Sequence, residues 1–98
     1  MCHVEFNYLY RDYANYKNHG CIIFLNVENI SLETILAAIE NKLLIDDLFD
    51  ANQWNVPDLH FENWDDEIDH PFHEFGFVQH SSATSTDGRD IKQFLAHL

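Results

Sequence analysis

From His3 to Tyr10 the chain alternates: Val4, Phe6, Tyr8 and Tyr10 fall on one side, His3, Glu5 and Asn7 on the other, with Leu9 as the exception. A period of two over eight residues predicts a strand with one buried face, which commits the N-terminal third to a sheet. Cys21–Val27 is almost continuously apolar and rich in β-branched and aromatic residues, as expected of a central strand covered on both faces. The polar stretch Arg11–Gly20 between them reads as a long connection ending in an Asn18-His19-Gly20 turn, since glycine tolerates positive φ. Pairing the two strands as a hairpin puts Cys21 opposite Leu9 and Cys2 opposite Glu28. The two sulfurs then lie too far apart for a disulfide, and both thiols are expected to be reduced.

The period then changes to that of a helix. Ser31 is a suitable N-cap, Ile30 and Ile35 are spaced for a hydrophobic staple, and Leu32, Ile35, Leu36, Ile39 and Leu43 form one apolar stripe. Glu33 in the first turn and Lys42 in the last both suit the helix dipole. Leu44–Leu59 has no period and reads as an irregular connection that tucks Phe49 and Trp54 against the core. Leu59–Trp64 and His73–His80 read as two further strands, the latter with His73, Phe75 and Phe77 on one face and Glu74, Gly76 and Val78 on the other. A short closing helix follows, capped by Thr86 or Asp87, with Ile91, Phe94, Leu95 and Leu98 as its stripe. The expected fold class is α+β: one domain over residues 1–98, an antiparallel four-stranded sheet in the order β-β-α-β-β-α, with the helices packed on one face.

Composition restricts function more than it names one. The 17 acidic residues outnumber the 5 lysines and arginines, for a formal net charge of −12, and such a surface repels phosphate, so direct nucleic-acid binding is not expected. No uninterrupted apolar run exceeds five residues, the length of Cys21–Leu25, far shorter than the roughly 20 residues of a membrane span. No signal-peptide pattern opens the chain, and a cytoplasmic protein without membrane contact is expected. Glycine-rich phosphate loops and a nucleophile elbow are absent, and no catalytic residue is assigned.

Charge distribution is the firmest functional signal. The 46 residues between Lys42 and Arg89 contain no lysine or arginine, yet they carry Asp46, Asp47, Asp50, Asp58, Glu62, Asp65, Asp66, Glu67, Asp69, Glu74 and Asp87. Anions without neutralising neighbours repel one another, and a basic protein partner would supply the missing counter-charge and speed association. Trp54 and Trp64, with Phe72, are candidate apolar anchors within that interval. A second candidate contact is the block Tyr8-Leu9-Tyr10-Arg11-Asp12-Tyr13-Ala14-Asn15-Tyr16-Lys17, where Arg11, Tyr13, Tyr16 and Lys17 mix aromatic area with polar tips. Its alternative role is local, with the tyrosines closing the sheet edge.

The segment from Asp65 to Glu74 also offers His70, His73, Asp69 and Glu74 as nitrogen and oxygen ligands for a divalent metal; no other cofactor is expected. The spacing is not the HExxH helical signature, and on a straight strand His70 and His73 would point to opposite faces. The seven histidines lead to one further expectation, that partner affinity falls on acidification as their protonation reduces the negative charge.

Three blocks, Tyr8-x-Tyr10-Arg11-Asp12-x-x-Asn15-Tyr16-Lys17, Leu59-His60-Phe61-Glu62 and Asp69-His70-x-x-His73-Glu74-Phe75, resemble a family of short uncharacterised bacterial proteins. The resemblance spans most of the chain and implies a bacterial cytosolic protein of about this length; it brings no activity with it. The residues themselves favour a small acidic interaction module, of the immunity-protein or antitoxin type, that masks a basic surface of a protein partner. A metal-binding protein or metal-dependent hydrolase using His70 and His73 is the rival reading, and a self-associating homo-oligomeric subunit is the third.

Overall fold

The computed structural model describes residues 3–12, 16–59, 72–84 and 88–98. Two long strands, β1 (His3–Arg11) and β2 (Lys17–Phe24), pair antiparallel, with Arg11 opposite Lys17 at the closed end and Val4 opposite Phe24 at the other. Helix α1 (Leu32–Glu40) follows, then a turn over Ile45–Asp47, the two-residue β3 (Leu48–Phe49), β4 (His73–Ser81) and helix α2 (Ile91–His97). The four strands form one antiparallel sheet in the order β2-β1-β4-β3, so the fold is α+β.

Several elements differ from the sequence reading. The hairpin is tighter than expected. Asp12 N–H donates to the Tyr16 carbonyl at 3.0 Å and Tyr16 N–H to the Asp12 carboxylate at 2.9 Å, which closes the loop directly after Arg11. Asn18, His19 and Gly20 therefore lie inside β2, and Cys21 faces Asn7 instead of Leu9. The apolar run led to the expectation that β2 is central, but β1 holds that place and β2 is an edge. Ile22, Ile23 and Phe24 are nevertheless all buried, so the run recorded burial on both faces and not position in the sheet. The fourth strand is Leu48–Phe49. The expected strand Leu59–Trp64 lies outside the described residues apart from Leu59, which is irregular.

Gly76 changes the phase of β4. Asn7 pairs with Phe77 but Tyr8 pairs with Phe75, so one residue of β4 is extra at Gly76, and a Cβ there would stand 3.0 Å from the Asn7 carbonyl oxygen. Phe75 shares the core face with His73, as the alternation predicts. Beyond the bulge the assignments reverse, with Val78 packed on the core and Phe77 turned out.

The helices keep the expected faces with altered ends. Ser31 caps α1 by accepting from Thr34 N–H, and Ile35 and Ile39 are buried. The helix stops at Glu40, so Lys42 falls beyond it, and no basic residue occupies its last turn. The cap of α2 is Asp90, not Thr86 or Asp87. Gln93 three residues on completes a capping box, and the second carboxylate oxygen of Asp90 accepts from Val27 N–H at 2.8 Å.

Both helices and one face of the sheet contribute to a single core of Val4, Phe6, Tyr8, Ile22, Phe24, Ile35, Ile39, Phe75, Ile91 and Phe94, joined by Phe49, Ala51, Trp54 and Val56 from the connection. Phe6 is its centre, with the rings of Tyr8, Phe49, Trp54, Phe75 and Phe94 between 5.2 and 6.3 Å away. Phe49 and Trp54 are tucked in as the sequence predicts, stacked at 4.4 Å. None of the described helices is long and apolar enough to cross a membrane.

Candidate functional site

After α1 the chain makes a turn whose base is closed by Leu44 N–H donating to the Leu48 carbonyl at 2.8 Å. At its top, Leu44 is 50 % and Ile45 81 % exposed, followed by the exposed carboxylates of Asp46 and Asp47. Both aspartates hold left-handed backbone, with φ of 58° and 60°. Non-glycine residues rarely take that conformation, and two in succession persist only where the flanking structure imposes them; here Phe49 is anchored in the core on one side and α1 on the other. Asp46 and Asp47 make no ion pair among the described residues.

The other expected contact residues are placed differently. Asp50 turns its carboxylate back on the chain, accepting from the N–H groups of Asn52 and Gln53. Trp54 is only 3 % exposed, so its ring belongs to the core and not to a surface. Asp58 is exposed, with Oδ1 3.3 Å from Nε2 of His73. Tyr16 and Lys17 are exposed at the hairpin end, Tyr16 as a large apolar surface. Arg11 grips Glu74 through Nε and Nη2, each at 3.2 Å. Tyr13, Glu62, Trp64, Asp65, Asp66, Glu67, Asp69 and His70 lie outside the described residues.

Two of the expected metal ligands can be located. His73 and Glu74 are neighbours on β4 and so point to opposite faces. His73 is 2 % exposed among Tyr8, Tyr10 and Phe49, and its Nε2 accepts from Leu59 N–H at 2.8 Å. The Glu74 carboxylate is held by Arg11 on the outer face. No group of three or more histidine, cysteine or acidic side chains gathers among the described residues.

Beside His73, the Tyr8 hydroxyl donates to the Pro57 carbonyl at 2.6 Å. Burial pushes its pKa from 10.0 up to about 12, assisted by the Asp58 carboxylate and then by Cys21. Such a phenol stays protonated at neutral pH and acts as a tether.

The cations are largely committed elsewhere. Lys92 pairs with Glu28 at 3.0 Å, while Arg89 lies over the rings of Phe24 and Phe94 and donates to the Asn55 carbonyl. The sequence reading did not single out Leu44 and Ile45. They open the stretch Leu44–Leu59, which reads as an irregular connection, and a stretch without a period does not say which of its apolar residues turn outward. No family profile, curated protein or solved structure matches this chain.

Proposed function

We propose that this chain is a small acidic interaction module that occupies a cationic surface of a protein partner, in the manner of an immunity protein or antitoxin. The observation that carries this reading is the turn at residues 44–47. It combines two exposed aliphatic side chains with two exposed aspartates that no described cation neutralises. Protein interfaces are built this way, with apolar contacts at the centre and charges at the rim. The left-handed backbone at Asp46 and Asp47 also supports the reading, because unfavourable backbone conformations gather where function requires a fixed shape. A net charge of −12 adds long-range attraction toward a basic surface. Enzymes that act on nucleic acid carry such surfaces for binding phosphate, which makes them the partner class of best fit.

The test uses the full chain as bait, with captured proteins identified and their affinities measured at several salt concentrations. The expected partner is basic, and its affinity falls as ionic strength rises. Ile45→Lys and the pair Asp46→Lys, Asp47→Lys should each weaken capture by about tenfold or more. Capture of acidic or neutral partners alone, or binding indifferent to salt, overturns the reading.

A further inference from the structure

On the sheet face turned away from the helices, Phe77 stands 52 % exposed beside a hollow of about 250 Å³. Asn7, Leu9 and His19 wall the hollow together with Phe77, and Tyr8, Gly20 and Gly76 complete its lining. The bulge produces both features, since it turns Phe77 outward and requires glycine beside it. An exposed ring next to a hole of side-chain size is a self-complementary surface, which is what a two-fold interface needs.

Charge selects the occupant. Glu5 and Glu74 are the described carboxylates on this face. Glu5 accepts from Nε2 of Gln79 at 2.7 Å, and Glu74 is held by Arg11. Between them Asn7, Leu9, His19, Cys21 and Phe77 bring no negative charge. Two copies of a chain with net charge −12 repel wherever carboxylates are unpaired, so a face whose described carboxylates are both held favours a second copy. A cationic partner gains nothing from choosing it. We propose that the chain forms a two-fold homodimer through the outer face of its sheet, with Phe77 of each copy seated against the hollow of the other. The proposal uses different residues from the turn at 44–47 and stands independently of that reading.

Sedimentation of the full chain from about 10 µM to about 1 mM tests it. A reversible dimer is expected, strengthened by salt because screening reduces the repulsion between copies; the basic-partner complex has the opposite salt dependence, so the two readings fail separately. Phe77→Lys, at an exposed position, should weaken self-association at least about tenfold while leaving the unfolding midpoint nearly unchanged. Alkylation of Cys21, which is exposed on the same face, should slow as the dimer forms when followed by peptide mapping. A monomer throughout that range at high salt overturns the proposal. So does a dimer that survives Phe77→Lys with Cys21 fully reactive.

Discussion

The hydroxyl of Tyr8 donates to the carbonyl of Pro57 across 2.6 Å, tying the central strand to the connection that continues through Asp58 to Leu59. Below pH 10 the phenol is protonated in both folded and unfolded chains. Between about 10 and 12 the unfolded chain releases the proton while the folded one retains it, so stability falls as pH rises through this window. A shift from 10.0 to about 12 corresponds to a loss of about 2–3 kcal/mol. Tyr8→Phe should be less stable than the parent by about 1–2 kcal/mol at pH 8, because the Pro57 carbonyl loses its donor. Lacking the ionisation, the variant should close that gap as pH rises, when both are unfolded in urea across the window. Parallel pH curves would contradict the assignment.

Much of this architecture was legible in the sequence, for identifiable reasons. The alternation of Val4, Phe6, Tyr8 and Tyr10 and the stripe of Leu32, Ile35, Leu36 and Ile39 report which face is buried, and burial is what periodicity encodes. What failed was information that local pattern does not contain. Strand order depends on contacts distant in sequence, so the apolar run at Ile22–Phe24 could not reveal that β2 is an edge. The phase change at Gly76 depends on the approach of the Asn7 carbonyl from another strand. For the candidate site, Asp46 and Asp47 stand out by charge, whereas Leu44 and Ile45 do not, because the aperiodic connection they open does not reveal which of its aliphatics are exposed.

Two glycines separate a rigid obstacle from a yielding one. A Cβ at Gly76 meets a backbone oxygen, the Asn7 carbonyl at 3.0 Å, and a Cβ at Gly20 meets the Leu59 Cδ1 methyl at 2.8 Å. A strand carbonyl cannot move without disturbing the ladder, while the end of a leucine can rotate away. Gly76→Ala should therefore cost about 1–3 kcal/mol and Gly20→Ala less, read as urea midpoints at constant slope. The reverse order would mean that the bulge does not hold Asn7 where described.

Asp90 joins two elements through one carboxylate. Oδ1 accepts from Lys92 N–H at 2.9 Å and caps α2, while Oδ2 accepts from Val27 N–H at 2.8 Å just after β2. Asp90→Ala should cost about 1–2 kcal/mol, at or above the usual loss for a cap because the Val27 donor is released as well. Gln93→Ala removes only the return bond to Asp90 N–H and should cost less. Thermal unfolding of the two single variants gives the comparison, and equal losses would remove the linking role of Asp90.

Asp46 and Asp47 are where stability and binding should part. Each holds φ near +60°, a conformation that costs an L-residue about 1 kcal/mol, less for aspartate than for most, and costs glycine nothing sterically. Glycine forfeits part of that gain through the greater freedom of the unfolded chain. Removing two anions from a chain of net charge −12 also relieves repulsion. The double variant Asp46→Gly, Asp47→Gly should therefore be as stable as the parent or more so, by up to about 1 kcal/mol, while capturing the basic partner at least tenfold more weakly. Thermal midpoints and a binding titration on the same preparations separate the two effects. A variant that loses stability means the carboxylates hold the turn together and its shape is theirs; one that gains stability and binds undiminished removes the turn from the interface.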